Sequence, residues 1–346
     1  MLGGNLMLDK NAKNYDSGIL PSAKNDLPKG LKPPYKVSVP PIETRAKLLE
    51  ILGVENIPTN VVYESGKIIE NEGLIEYKVE YNNSFGELVE GIIIIPKPKK
   101  NALTPGIVCM GGTAATKEGI TESKFHRPNP TEGQLYGWAR QLARLGYGTI
   151  SITLRGSADR RGTTAHWEQE TKLLSTLGRT QIGYKVEETL LAARVLGSLY
   201  SIDHKRIGLT GMSLGGVGTW WSMACDPSIA VGVTICGNIG SAYRHIYEGM
   251  AERHSSSMYV PGLLKYFDHG EIVANCIAPR PFMMIAPLED EDMPKEGVND
   301  LLKIVEPKYE STGDSSKFFC HKPPGRHVFL IDYFDRMVSW FDKYLK

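Results

Sequence analysis

Near the middle of the chain, Gly211 to Gly215 (GMSLG) sets a serine between two glycines at the spacing G-x-S-x-G. A serine hydroxyl attacks an acyl carbon only when a base takes its proton and a carboxylate holds that base in the right tautomer. The flanking residues supply the setting such chemistry needs. Arg206 to Thr210 (RIGLT) reads as a strand, and the helix expected over Gly215 to Ala224 follows at once. A strand, a sharp turn and a helix lift the serine of the turn above a sheet in a strained conformation. Glycines at 211 and 215 avoid collision with the neighbouring strand and helix. The helix start behind Ser213 adds partial positive charge where an oxyanion would form.

Of the 8 histidines, His245, His254, His269, His321 and His327 follow Ser213. His327, in the loop PGRHVF between the last strand and the last helix, is the expected base. His321, at the end of that strand, is the alternative, or else a polar core residue. The apolar run Pro281 to Ala286 (PFMMIA) leads into an acidic loop, Leu288 to Pro294 (LEDEDMP). Carboxylates crowded together repel unless most face water. One is therefore expected to serve the base, Asp290 first and Asp292 second. Backbone donors for an oxyanion are expected from Leu214 and from the glycine-rich CMGGT at Cys109 to Thr113, with Gly112 the first choice and Thr113 the second.

These residues must be positioned by the elements around them. Residues 1–41 are rich in Pro, Gly, Lys and Asn and read as an extended arm; 42–346 reads as one α/β domain. Helix Thr44–Leu52 precedes three strands, Asn60–Ile69, Leu74–Tyr81 and Leu88–Pro96, that suggest an antiparallel meander. Strands then alternate with helices. The expected order is strand Gly106–Met110, helix Leu135–Leu145, strand Tyr147–Leu154, helix Tyr184–Leu199, strand Arg206–Thr210, helix Gly215–Ala224 and strand Ala230–Cys236. Strand Pro281–Ala286, helix Glu296–Val305, strand Lys317–His321 and helix Leu330–Leu345 complete it. Alternation of this kind calls for a mostly parallel, doubly wound sheet. Long connections at about 114–133, 157–181 and 239–268 are expected to act as lids. In them, or just before, Trp167, Tyr243, Tyr259 and Arg155 are candidate substrate contacts, Arg155 being also readable as a structural ion pair.

Composition narrows the alternatives. The chain has 346 residues, 41% hydrophobic and 23% charged, with a formal net charge of +1. Nucleic acid and membrane surfaces are not expected partners. The 5 cysteines are odd in number and lack CxxC spacing, which points to free thiols and a cytoplasmic setting. Metal-ligand spacing, a phosphate loop and a dinucleotide fingerprint are all missing, so no metal or cofactor is expected. No signal peptide is read at Met1 to Asp16.

Residues from about Arg45 to Leu345 resemble the dienelactone-hydrolase-related, acetyl-(xylan-)esterase-like branch of the α/β hydrolases. The likeness rests on LGRTQIG (Leu177–Gly183), IDHKRIGLTGMSLGG (Ile202–Gly216), YVPGLLKYFDHGEI (Tyr259–Ile272) and APRPFMMIAPLEDEDMP (Ala278–Pro294). It implies the α/β-hydrolase fold, the chain order Ser, acid, His, and hydrolysis of carboxylic esters, often acetylated sugars or small aryl esters. Two positions depart from the pattern: Met110 stands where a histidine usually precedes Gly111, and Pro287 replaces a glycine. Dienelactone hydrolases proper use cysteine, so Ser213 argues against that activity. The expected partner is a small-molecule ester, with homo-oligomerisation left open. Amide hydrolysis or acyl transfer by the same residues, and a non-catalytic binding protein on the same fold, are the competing readings.

Overall fold

The computed structural model describes residues 39–97, 102–127, 133–247, 254–293 and 295–346, so nearly all of the expected arm lies outside the described residues. Its strands are β1 (Tyr63–Ser65), β2 (Ile69–Asn71), β3 (Leu74–Asn82), β4 (Leu88–Pro96), β5 (Thr104–Met110), β6 (Gly148–Ile152), β7 (Ile202–Met212), β8 (Val231–Ile235), β9 (Phe282–Ile285) and β10 (Phe318–His321). They make one 10-stranded sheet in the order β1-β3-β4-β6-β5-β7-β8-β9-β10, with β2 also on β3. Pairing is antiparallel from β1 to β4 and between β4 and β6. From β6 through β10 it is parallel. This is the doubly wound sheet with an antiparallel entry that the alternating elements predict.

The central strands are apolar along their length because both faces are covered. On β5, Val108 and Met110 face a core shared with Leu190 and Trp220, while Ile107 and Cys109 face one shared with Trp138 and Phe341. The helices are α1 (Thr44–Leu52), α2 (Trp138–Arg144), α3 (Thr164–Thr176), α4 (Gln181–Gly197), α5 (Leu214–Cys225), α6 (Lys295–Ser311) and α7 (Ile331–Tyr344), beside shorter turns. α1, α4, α5 and α6 cover the first face; α2 and α7 cover the second. On α7 the buried Tyr333, Phe334, Met337, Trp340 and Phe341 form one apolar stripe. Between β5 and β7 the winding reverses direction, since the chain leaves β5 for β6 on one side and continues from β7 to β8 on the other. Ligands of open α/β sheets bind at the carboxyl ends of strands at such a point.

Four local expectations need correction. Asn60–Ile69 is two short strands on β3: Ser65 pairs Val79 and Ile69 pairs Glu76, four steps against three, so one extra residue breaks the ladder. The long connection 157–181, for which no helix was expected, contains α3, which fills 13 residues of it. Thr163 caps that helix and His166 stands where a Glu or Gln usually completes a capping box. α4 begins at Gln181, earlier than Tyr184, with Thr180 accepting from the Gly183 amide. α6 continues past Val305 and through Pro307 to Ser311. Tyr309, buried and donating its hydroxyl to the Arg280 carbonyl at 2.7 Å, holds the turn that Pro307 weakens.

One glycine contact makes a stability prediction. A Cβ on Gly215 would lie 2.1 Å from the Met110 carbonyl oxygen, whereas one on Gly197, at the end of α4, would meet His204 Cβ at 3.6 Å. Gly215→Ala is expected to cost about 3 kcal/mol or more, because backbone on both sides must move. Gly197→Ala is expected to gain about 0.5 kcal/mol from helix propensity. Thermal melts of the two proteins decide; an unchanged Gly215→Ala melt contradicts the close strand–helix approach.

Candidate active site

β7 ends at Met212 and α5 begins at Leu214, leaving Ser213 alone in the corner at φ 55° and ψ −118°. A non-glycine residue at positive φ is strained and persists only where its surroundings fix it. Here the Ser213 amide donates to the Ile235 carbonyl at the end of β8 (2.9 Å). Gly211 and Gly215 pack so closely that a Cβ on Gly211 would lie 2.5 Å from the Gly215 carbonyl carbon.

The loop after β10 brings His327 over this corner. His327 Nε2 is 2.9 Å from Ser213 Oγ, and Nδ1 is 2.8 Å from Asp290 Oδ1. A carboxylate only accepts, so Nδ1 carries the proton and Nε2 is left to accept from the serine hydroxyl. The acid and base loops are laced together: the Glu289 amide donates to the Gly325 carbonyl (2.9 Å) and the His327 amide to Glu291 (3.3 Å). The Phe329 amide donates to the Gly133 carbonyl at 2.8 Å, bracing the far side.

The two candidate acids occupy different places. The Asp290 side chain is fully buried and also accepts from the Asp292 amide at 2.9 Å. Asp292 Oδ2 instead lies 3.6 Å from Nε2, on the serine side of the ring. Burial disfavours the His327 charge, but the hydrogen bond to Asp290 and the charges of Asp290, Asp292 and Glu291 outweigh it. The imidazole pKa is therefore raised. His321 takes no part: it lies 3.9 Å from Asp332 and edge-on to Tyr333. The two departures from the family pattern are accommodated. Thr189 donates to Met110 Sδ (3.2 Å) in the core, and the Pro287 carbonyl accepts from the Asp290 amide (3.2 Å) to close the turn.

Above these residues opens a cavity of about 310 Å³. Leu214, whose amide opens α5 without an intrahelical partner, lines it, and so does Thr113. Gly112 sits against Ser213, where a Cβ would lie 3.2 Å from Ser213 Cβ and 2.3 Å from Gln134 Nε2. Trp167 of α3 forms part of the wall, and its Nε1 donates to Ser255 Oγ at 2.9 Å. That bond and the Ser256–Glu168 bond (2.8 Å) join two of the long connections over the site.

Other expected contacts fall elsewhere. Arg155 is held by Glu87 and Glu170 outside the cavity, and Arg161, farther along the same segment, lines it instead. Tyr259 borders a neighbouring chamber, and Tyr243 lines neither space. The connection 114–133 contributes no described residue to the cavity wall beyond Thr113 at its edge.

One neighbour of the site was not legible from sequence. Cys236, at φ 48° just past β8, brings its thiol within 4.8 Å of Asp290 and His327 ligand atoms. Among the described residues this is the one group with a metal-like donor set. Burial and then the Asp290 charge push the thiol pKa far up, so it is held protonated. The His327 and Asp290 atoms already bond each other, which suits a proton relay better than a metal cage. All 5 cysteines are free. No helix among the described residues is long and apolar enough to cross a membrane.

No family model matches the chain. Over 173 residues, 50% of this chain, it is 35% identical to the "Putative hydrolase YtaP" of Bacillus subtilis (strain 168), and it spans only 56% of that relative's length. A "putative acetyl xylan esterase" from Bacteroides fragilis NCTC 9343 superposes at TM-score 0.67 with 18% identity, covering 88% of this chain and 86% of that one. Acetyl xylan esterase 1 from Thermoanaerobacterium sp. JW/SL YS485 gives 0.60 with 14% identity, covering 89% and 95%. The sheet order, the strand–turn–helix corner and these likenesses together show the α/β-hydrolase fold.

Proposed function

We propose that the chain is a serine ester hydrolase with Ser213 as nucleophile, His327 as base and Asp290 as the acid that orients it. The reading is carried by one observation: the continuous line from Ser213 Oγ through both His327 nitrogens to a buried carboxylate, at 2.9 and 2.8 Å. Ser213 Oγ attacks the ester carbon as its proton passes to His327 Nε2, and the imidazolium is stabilised by Asp290. The carbonyl oxygen becomes an oxyanion facing the amides of Leu214 and of Gly112 or Thr113. His327 then protonates the departing alcohol, leaving an acyl group on Ser213. Water, deprotonated by His327, releases the acid and restores the hydroxyl. Ester rather than amide substrates are supported by the names of the solved structures with this fold, which are esterases. A small acyl group such as acetyl, on an aryl or sugar alcohol, fits the cavity of about 310 Å³.

A fluorophosphonate probe tests the assignment directly. The expected result is one label per chain, found on Ser213, with loss of 4-nitrophenyl acetate hydrolysis in proportion. A label on another residue, or full activity after labelling, would overturn the reading.

A further inference from the structure

The turn after β6 carries three arginines, and their surroundings treat them differently. Arg155 is bound by Glu87 at 2.7 Å and by Glu170, and Arg160 by Glu188 through two bonds of 2.7 and 2.6 Å. Arg161 has no side-chain hydrogen bond or ion pair among the described residues. Asp159, the acidic residue of the same turn, pairs with none of the three. The backbone that carries Arg161 is nevertheless fixed. Ala158, at φ 44°, donates its amide to the Thr113 carbonyl at 2.8 Å, and the Arg161 amide donates to the Ala158 carbonyl at 3.2 Å. The Arg160 side chain ties the turn to the Thr153 carbonyl at 2.7 Å. Only the Arg161 side chain remains to be ordered when a partner arrives, which keeps the entropic cost of binding low.

Two spaces meet at this side chain. Arg161 and Trp167 line both the catalytic cavity and a more open groove of about 360 Å³ beside it. In the groove, the Glu170 carboxylate is already taken by Arg155 and Gln181. In the cavity, Asp292 is the one acidic residue of the described wall; it lies 3.6 Å from His327 Nε2 and forms no ion pair with Arg161. The rim shared by the two spaces therefore holds one guanidinium that no protein carboxylate answers.

We propose that Arg161 binds a carboxylate carried by the ester substrate away from the bond that is cut, so that the preferred substrates are acidic esters. The planar guanidinium fork matches the two oxygens of a carboxylate. One carboxylate also cancels its single charge, whereas a phosphate dianion would leave excess negative charge in a cavity that already holds Asp292. The proposal rests on the reading of Ser213 as the nucleophile and adds recognition of charge to it.

The test uses esters with the carboxylate on either side of the bond, each against its uncharged amide. Monomethyl glutarate and methyl 5-amino-5-oxopentanoate place the group on the acyl side; 4-acetoxybutanoate and 4-acetoxybutanamide place it on the alcohol. At least one acid is expected to exceed its amide about tenfold in kcat/KM, the worth of a hydrogen-bonded charge pair. The preference should shrink in about 0.5 M sodium chloride, which screens such a pair. Arg161→Gln is expected to lower the acid-to-amide ratio about tenfold, and Arg161→Lys, which keeps the charge and loses the fork, by less. A ratio cancels any loss of folded protein. Arg336→Gln removes the same charge from α7, where Arg336 pairs with Asp332, and is expected to leave the ratio as it is. Glutarate should inhibit 4-nitrophenyl acetate hydrolysis more strongly than inorganic phosphate. Equal rates for acid and amide, an unchanged ratio in Arg161→Gln, an equal fall in Arg336→Gln, or stronger inhibition by phosphate would each overturn the proposal. Calorimetric binding of the same esters to Ser213→Ala, with and without Arg161→Gln, separates the two readings. Acid-selective binding that needs Arg161, without turnover by the wild type, refutes the esterase and keeps the carboxylate subsite. Turnover without acid preference does the reverse.

Discussion

Ser213→Ala is expected to lower kcat for 4-nitrophenyl acetate by about 10⁴- to 10⁶-fold while leaving the fold intact. The loss is large because, in the proposed mechanism, the hydroxyl is both the attacking atom and the proton donor to His327 Nε2, 2.9 Å away. The residual rate would come from the oxyanion donors and the cavity alone. A companion substitution reports on the strain at this corner. Ser213 sits at φ 55°, ψ −118°, and alanine inherits that conformation with its Cβ. Ser213→Gly removes the Cβ and should relieve about 1–3 kcal/mol of strain, offset by about 0.5–1 kcal/mol of extra chain entropy. Equal inactivity of the two variants, with Gly melting at or above Ala, is the expected pattern. A Ser213→Ala protein that keeps more than about a tenth of wild-type activity would show that Ser213 does not carry out the chemistry, since one residual tenfold is only about 1.4 kcal/mol.

The parts of this arrangement that could be read from sequence are those written in short covalent spacing. GMSLG fixes the corner because the glycines and the serine must be neighbours in the chain, and the residues on each side announce the strand and the helix. The doubly wound sheet was legible for a similar reason, since runs such as GIVCM and PFMMIA are apolar only where both faces are covered. His327 was narrowed by its place after the last strand. Asp290 and Asp292 stayed unresolved because they share one loop, and only its folding turns the first inward, where it accepts the Asp292 amide.

What sequence could not supply depends on contacts between distant segments. Arg155 and Arg161 lie in one short stretch, and the choice between them was made by Glu87 and Glu170, from a β-turn and from α3, which capture Arg155. Cys236 reaches the acid because β8 lies beside β9 in the sheet. No local pattern marks that adjacency. α3 was missed because its polar sequence has little apolar periodicity, and its stability comes from a Thr163 cap and from Trp167 packing above Gly156, where any Cβ would strike the indole at 1.6 Å.

Asp290→Asn is expected to cost about 10⁴-fold in kcat/KM, and Asp292→Asn less than about tenfold. The difference follows from which nitrogen each carboxylate faces. Asp290 accepts the Nδ1 proton, which keeps Nε2 free to take the serine proton. An asparagine there can turn its NH₂ toward Nδ1 and favour the tautomer with the proton on Nε2, which cannot act as base. Asp292 makes no such choice; its Oδ2 lies 3.6 Å from Nε2 and acts through charge. Its removal should shift the pH profile rather than abolish activity. His327 must be neutral to accept a proton, so activity rises as pH climbs through its pKa, and the raised value places that limb above 6.5 in the wild type. Taking away the Asp292 charge lowers the pKa and moves the limb to lower pH. Linkage adds a stability signature of the same sign. With the folded pKa above the unfolded one, protonated His327 contributes stability that is complete below about 6.5 and is lost as pH rises through the folded value. Asp292→Asn should shrink that contribution, and Asp290→Asn should remove most of it. Should Asp292→Asn prove the more damaging to kcat/KM, with Asp290→Asn merely shifting the acid limb, the roles of the two carboxylates would have to be exchanged.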